Sequence, residues 1–367
     1  MILLKKKKGI NSLWLVVLAP MGAILVSLSL KNPHLVEKLY SNGIYRYIGI
    51  FLSNVTGIFP FSLGEFIVIF TFLFILIYAI KILIKIITRH ISLQNFYRHF
   101  KNAIIAISVV YFAFIILWGL NYYRLPLSKI IGLDTKPASI NELKSLCINL
   151  IEETNSLRKE LDLNSQNLNK DTYSQTLKRA YKGYDKVGQL YPVLDGKYGT
   201  PKAVLFSKGM SYTGITGIYF PFTAEANVNV HIPYVSIPST ATHEMAHQRG
   251  FAREDEANYI AYLACKLHPD VDFQYSGYLL ALIHSMNALY SSDIEAYYEL
   301  NNRYSPELKK DLIAMNEYWK RFEGPIEKAS NKVNNTYLKS NNQKDGIKSY
   351  GRMVDLLIAE YREEHKK

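Results

Sequence analysis

Three apolar runs in the first third of the chain limit its fold more than any other feature. A bilayer's hydrocarbon core is about 30 Å thick and takes about 20 apolar residues as a helix. Within lipid the backbone can bond only to itself, so such a run must be helical. The runs are LWLVVLAPMGAILVSLSL at 13–30, residues 63–87, and AIIAISVVYFAFIILWGL at 103–120. Lys81 and Lys85 near the end of the second can snorkel. Trp118, Tyr122 and Tyr123 end the third as an aromatic belt. The first run follows Lys5–Lys8, but it is long and no small-residue cleavage site follows, so it reads as an anchor and not as a cleaved signal. Residues 44–60 are apolar but interrupted by Arg46, Gly49, Asn54 and Gly57, and read as an interfacial or re-entrant segment.

Charge follows the same division. Residues 1–120 carry 12 Lys/Arg against two acids, Glu37 and Glu65, whereas the other 31 bases face 29 acids. A basic, apolar third suggests lipid headgroups as its partner. The remainder has no basic stripe, which sets nucleic acid aside. Lys5–Lys8 and the cluster Lys81, Lys85, Arg89, Arg98 and Lys101 outnumber Lys31, Lys38 and Arg46. The positive-inside rule then puts the N-terminus and second loop in the cytoplasm and everything after residue 121 outside. Cys147 and Cys265 are too few for a disulfide framework or a four-Cys zinc site. They can form one bridge or remain buried thiols.

Beyond Arg124 the pattern changes. Ile140, Leu143, Leu146, Cys147 and Leu150 recur at helical spacing, and 138–190 reads as helices. Strand-like runs follow at 203–206, 217–222 and 227–232, rich in β-branched and aromatic residues. From Ser236 the chain reads as helical, apart from a polar segment at 334–345 before a last helix at 348–362. The expected architecture is α+β and mostly helical, with a membrane region 1–120 and a second domain 121–367.

The chemistry rests on THEMAHQRGFAREDEAN, residues 242–258. Pro238 and Ser239 suggest a helix start and Gly250 its end. His243 and His247, four apart, share one face and can hold one Zn²⁺ at about 2.0–2.1 Å. Glu244 beside them can reach a water on the metal, which is the HExxH arrangement of zinc peptidases. A third ligand is needed, and Glu254, Asp255 and Glu256 open the next helix. Arg253 stands where a metzincin carries its third His.

The run Glu254-Asp255-Glu256-Ala257-Asn258 resembles the acidic helix signature of the gluzincin peptidases. That resemblance implies Glu254 as ligand and Asn258 as support for a ligand His, with Glu256 as competitor. The chain also resembles a bacterial family catalogued as domain of unknown function 3810. The likeness lies in its N-terminal spans, in PFTAEANVN at 221–229, in HEMAHQRGFAREDEAN, and in NNTYLKSNNQ near the C-terminus. It implies a membrane protein with a gluzincin-like metallopeptidase domain and names no substrate.

The expected function is therefore zinc-dependent hydrolysis of a peptide or protein substrate, with Glu244 as general base. Tyr350, Tyr337 or His231 would be the oxyanion donor. Asn227 and Asn229 would bind a peptide by strand addition, and Glu225 would hold a substrate amine or be a solvated loop acid. His34, His90 and His99 sit at membrane edges. His268 reads as a helix C-terminal cation, and His284 as a core histidine. The alternatives are a zinc hydrolase of a cell-wall amide and a non-catalytic membrane sensor or scaffold with a vestigial metal site. The sequence leaves the oligomeric state open.

Overall fold

The computed structural model describes residues 12–88, 92–163 and 173–365, with the side chains of 349–351 outside that description. It is mostly helical, with one small sheet. Three helices are long and apolar enough to cross a membrane: Ser12–Lys31, Leu63–Ile87 and Leu93–Leu117. We call the regular part of the first, Leu18–Lys31, α1. The third starts at Leu93 and not at 103. The Ser92 hydroxyl accepts the Asn95 amide at 3.2 Å, so a cap, and not the onset of hydropathy, sets its first turn.

The segment 44–60, expected to lie at or within the interface, falls in a run of helix that starts earlier: Pro33–Leu35, Val36–Tyr45 in a wide π-helical form, and Arg46–Gly57 (α2). It is two-faced. Glu37, Ser41 and Tyr45 are buried against the second domain, whereas Leu35, Leu39, Ile44, Tyr47, Phe51 and Val55 are exposed. The Ser41 hydroxyl donates to Asn121 Oδ1 at 2.9 Å, and the Thr56 hydroxyl to the Thr223 carbonyl at 3.0 Å. The segment's polar face is spent on the protein, and its apolar face is exposed.

The helices Leu63–Ile87 (α3) and Leu93–Leu117 (α4) follow. The start of α3 is fastened to the second domain. Leu63 and Gly64 donate their amides to Glu225 at 3.0 and 2.7 Å, and buried Lys202 pairs with the same carboxylate. Glu65 accepts the amides of Leu205 and Phe206, both at 2.8 Å. The end of α4 runs into a short 3-10 turn, Gly119–Tyr123, whose residues are all buried.

In the second domain Ile140–Leu163 (α5) and Tyr181–Leu190 (α6) precede a sheet of Lys202–Ala203 (β1), Gly217–Phe220 (β2) and Glu225–Val228 (β3). The order is β1-β3-β2, with β3 parallel to β1 and antiparallel to β2. The strands are shorter than expected: after Ala203 the chain turns into a helix at Ser207–Ser211, where the Ser207 hydroxyl donates to the Val204 carbonyl. Ile237–Gln248 (α7), Glu254–Lys266 (α8) and Val271–Ser292 (α9) form the core around small residues at their contacts. Ala241, Ala246, Ala257, Ala261 and Ala264 are fully buried, so the α7 and α8 backbones lie close. Pro306–Lys320 (α10), Pro325–Ser340 (α11) and Met353–Glu364 (α12) complete it. The polar segment expected at 334–345 is largely helical, because α11 runs through it.

Cys147 and Cys265 are both free and buried. The Cys265 Sγ lies 3.2 Å from the Thr242 hydroxyl in the α7–α8 contact.

Candidate metal centre and its cleft

Helix α7 begins on Ile237 and Pro238, where a proline costs no hydrogen bond. The Ser239 amide is taken by the Ser276 hydroxyl of α9 at 3.0 Å. The helix ends at Gly250, whose φ of +80° suits glycine, and a side chain there would strike Tyr45 and Asn121. The reversal sends Phe251 back under the helix, and its carbonyl lies 2.7 Å from His247 Nδ1. A carbonyl only accepts, so the ring proton is on Nδ1 and Nε2 is left as a donor atom for a metal.

His243, His247 and Glu254 come together. Glu254 Oε2 is 3.2 Å from His243 Nε2 and 3.6 Å from His247 Nε2, and the three ligand atoms lie within 4.8 Å of one another. A tetrahedral ion with arms of about 2.0–2.1 Å separates its ligand atoms by roughly 3.3 Å. Two imidazoles and a carboxylate are a donor set that suits zinc. Glu254 is the first residue of α8, and its amide is taken by buried Gln343 at 3.2 Å.

Glu256 faces elsewhere. It accepts the Leu127 amide at 2.7 Å and pairs with Arg253 Nε at 3.1 Å. Asp255 lies toward Arg352, 3.9 Å away, and burial raises its carboxyl to about 6. The two competitors for the third position are thus turned away from the imidazoles.

Glu244 is buried, and its Oε2 has no hydrogen-bond partner. It lies against β2 at Gly217, where a methyl group would come within 2.7 Å of Glu244 Cγ. Burial raises the Glu244 carboxyl to about 7, against the pull of His243 and His247. Burial also opposes a charge on His247, yet Glu254 outweighs it and holds the ring at about 9. The Glu254 carboxyl resists burial in turn and stays well below the carboxylate range through His247 and His243.

A cleft of about 910 Å³ opens over these residues. One wall is Gly214–Phe222 with β2, a second is α9 with Leu279, Ile283 and His284, and a third is α11 with Asn331, Asn334 and Tyr337. The last comes from the apolar N-terminal third: Phe114 and Trp118 at the end of α4, then Tyr122. Trp118 meets the His247 ring edge-on at 5.8 Å and packs on Tyr219 at 4.6 Å. Trp118 and Tyr122, two of the three aromatic residues read as an interface belt, therefore line the cleft. Tyr122 donates to the Tyr337 hydroxyl at 3.0 Å. Burial keeps both phenols protonated far above neutral pH.

Other expected residues fall elsewhere. Asn258 lines the cleft. His231 is exposed and bonded to the Tyr318 hydroxyl at 2.7 Å, outside the cleft lining. The side chain of Tyr350 and the whole of His90 lie outside the described residues. Asn227 and Asn229 are buried on or next to the central strand, donating to Ile218 O at 3.2 Å and Ile215 O at 3.1 Å, so a peptide cannot add to that strand: the edges of the sheet are β1 and β2, and β2 lines the cleft. Glu225 is the buried anchor of α3 and not a solvated loop acid. His268 is not an exposed cation. It stacks on Phe273 at 3.8 Å and bonds to the Arg179 carbonyl and the Asp270 amide, and burial lowers its pKa. His284 borders the cleft near His243, where burial first and His243 second lower its pKa to about 4. His99 contacts Tyr78, and His34 is exposed. Gly217 carries no motif, Trp118 reads from sequence as a belt residue and Gln343 as the end of the NNTYLKSNNQ likeness, and only the fold brings the three to the site.

No curated protein and no solved structure matches the chain. Residues 40–358 match the family described as Protein of unknown function (DUF3810), a span that includes α2, both later apolar helices, the sheet and the His243–Glu254 cluster. The chain belongs to that family.

Proposed function

We propose that this chain is a membrane-anchored zinc metallopeptidase, held by three spans with residues 121–367 on the extracytoplasmic side. The observation that carries the reading is the convergence of His243 Nε2, His247 Nε2 and Glu254 Oε2 beside an unpartnered, buried Glu244 oxygen. A buried carboxylate oxygen without a partner is costly and needs a reason. Proton transfer from a water in the cleft supplies one.

Zinc, when bound by these three residues, polarises the scissile carbonyl and acidifies water. The chain's own residues do the rest. The free edge of β2 takes an extended peptide by backbone hydrogen bonds, which brings the carbonyl over His243 and His247. Glu244 accepts the proton of the attacking water as its oxygen bonds to the carbonyl carbon. The same carboxyl then gives that proton to the departing amine as the C–N bond breaks. Tyr337 donates to the oxyanion, its own oxygen already accepting from Tyr122. Trp118, Tyr219 and Phe114 exclude water.

The test is metal content and hydrolysis in the purified full chain, compared with Glu244→Gln and His247→Ala. One zinc per chain in the wild type and Glu244→Gln, none in His247→Ala, and casein cleavage by the wild type alone are expected. Cleavage of peptidoglycan in place of casein would redirect the reading to a cell-wall amide. Absence of zinc from all three after metal loading would leave a sensor or scaffold.

A further inference from the structure

The cleft is not remote from the apolar helices. It lies in a domain that sits directly on their ends. Phe114 and Trp118 belong to the end of α4, and both line the cleft. Phe220, the last residue of the edge strand β2, packs on Gly64 in the first turn of α3, where a Cβ would come within 2.8 Å of its ring. The edge strand is therefore held between the start of one apolar helix and the end of the next.

The surface around those ends is apolar as well. Tyr47, Phe51 and Ile58 are exposed along α2 and just beyond it, Ile58 by 78%. Leu205 and Phe206, 71% and 70% exposed, project beside the first turn of α3, where their amides bind Glu65. Large apolar side chains grouped at the level where three apolar helices meet a folded domain mark a surface seated in a lipid interface. A ring of this kind fixes the height of the bilayer on the domain and puts the Phe220 end of the cleft at that height.

We infer that the cleft prefers the stretch of a polypeptide that adjoins its own membrane-embedded segment, so that an anchored or inserted protein is taken well ahead of a freely soluble one. This rests on the peptidase reading of the same site. The β2 edge recognises extended backbone, and the Phe114, Phe220 and Phe222 wall accepts apolar side chains leaving the lipid. A lipid alone presents no backbone for β2. The fastening of α3 through Glu225 and Glu65 keeps strand, wall and membrane in one register.

The experiment uses the full chain in phosphatidylethanolamine–phosphatidylglycerol vesicles, with zinc. One reporter polypeptide is offered in three forms: fused to a single membrane-spanning helix, fused through a long Gly/Ser spacer, and free in solution. Cleavage by the wild type and binding by Glu244→Gln are both read. The directly fused form should be cleaved and bound at least about tenfold better than either other form, with scission next to the span. Co-localisation on the vesicle alone would favour the spacer form equally. Equal handling of the direct and spacer forms, or of the direct and free forms, overturns the inference and leaves the peptidase reading standing. Selective binding of the direct form without cleavage keeps the inference about the ligand and removes the peptidase reading. Binding of none of the three overturns the inference.

Discussion

Arg124 and Glu37 form a two-pronged ion pair, Nε to Oε2 at 2.9 Å and Nη2 to Oε1 at 2.7 Å, with side chains only 1% and 10% exposed. The same guanidinium donates to the Gly250 carbonyl at 3.0 Å and lies 3.9 Å over the Phe251 ring. Phe251 in turn holds His247 through its carbonyl. Orientation of a proposed metal ligand thus passes through a pair whose acid comes from the π-helical segment Val36–Tyr45.

Removing one partner of a buried pair strands a charge and costs about 3–5 kcal/mol. Glu37→Gln should lower the unfolding temperature of the detergent-solubilised chain accordingly, and Glu37→Leu with Arg124→Met should recover much of the loss. Unfolding of Glu37→Gln at the wild-type temperature would show that the pair holds nothing.

Glu254 and Glu256 are separable by metal content. Glu254→Gln should weaken zinc binding by more than the about 10–100-fold typical of residues that only support a ligand. Glu256→Gln should keep a full zinc complement and lose stability, because the Leu127 amide and Arg253 lose their carboxylate. Titration with a competing chelator decides between them, and equal zinc loss in both would undo the assignment.

Gly217→Ala places a methyl group against the Glu244 side chain. Zinc should remain, while hydrolysis drops by about 10²-fold or more as the general base is displaced. A variant with wild-type turnover would mean that Glu244 does not need its present position.

Tyr337→Phe should lower kcat with little change in KM, as expected for a donor that acts on developing charge. Tyr122→Phe, which removes the proton given to Tyr337, should have the smaller effect. A rise in KM at constant kcat would make Tyr337 a substrate-binding residue instead.

Burial raises both cysteine thiols to about 12. The thiolate is the reactive form, so neither should be alkylated by iodoacetamide at pH 8 in the folded chain. The unfolded thiol ionises near pH 8.5, so folding keeps the neutral form and this contribution to stability declines as pH rises from there toward 12. Mass spectrometry before and after denaturation counts the labels, and rapid native labelling would contradict the burial.

The HExxH pair was legible because helical periodicity alone puts residues four apart on one face. The three long apolar helices were legible because a long apolar run has only one conformation that satisfies its backbone away from water. Local spacing did not separate Glu254 from Glu256, and only the gluzincin resemblance favoured Glu254, since which carboxylate turns toward the imidazoles depends on how α8 is rotated against α7, and that follows from the alanine contacts between them. Glu37 and Glu65 were conspicuous as the two acids in a basic third, but their partners, Arg124 and the Leu205 and Phe206 amides, lie 87, 140 and 141 residues away. Trp118 read as a belt residue because an aromatic side chain at a membrane edge and one against an imidazole have the same local sequence. Local spacing determined the imidazole pair and the apolar helices. Only tertiary packing decided which carboxylate faces the imidazoles, the place of Gly217 and the nearness of the cleft to the ends of those helices, because each depends on contacts between segments far apart in the chain.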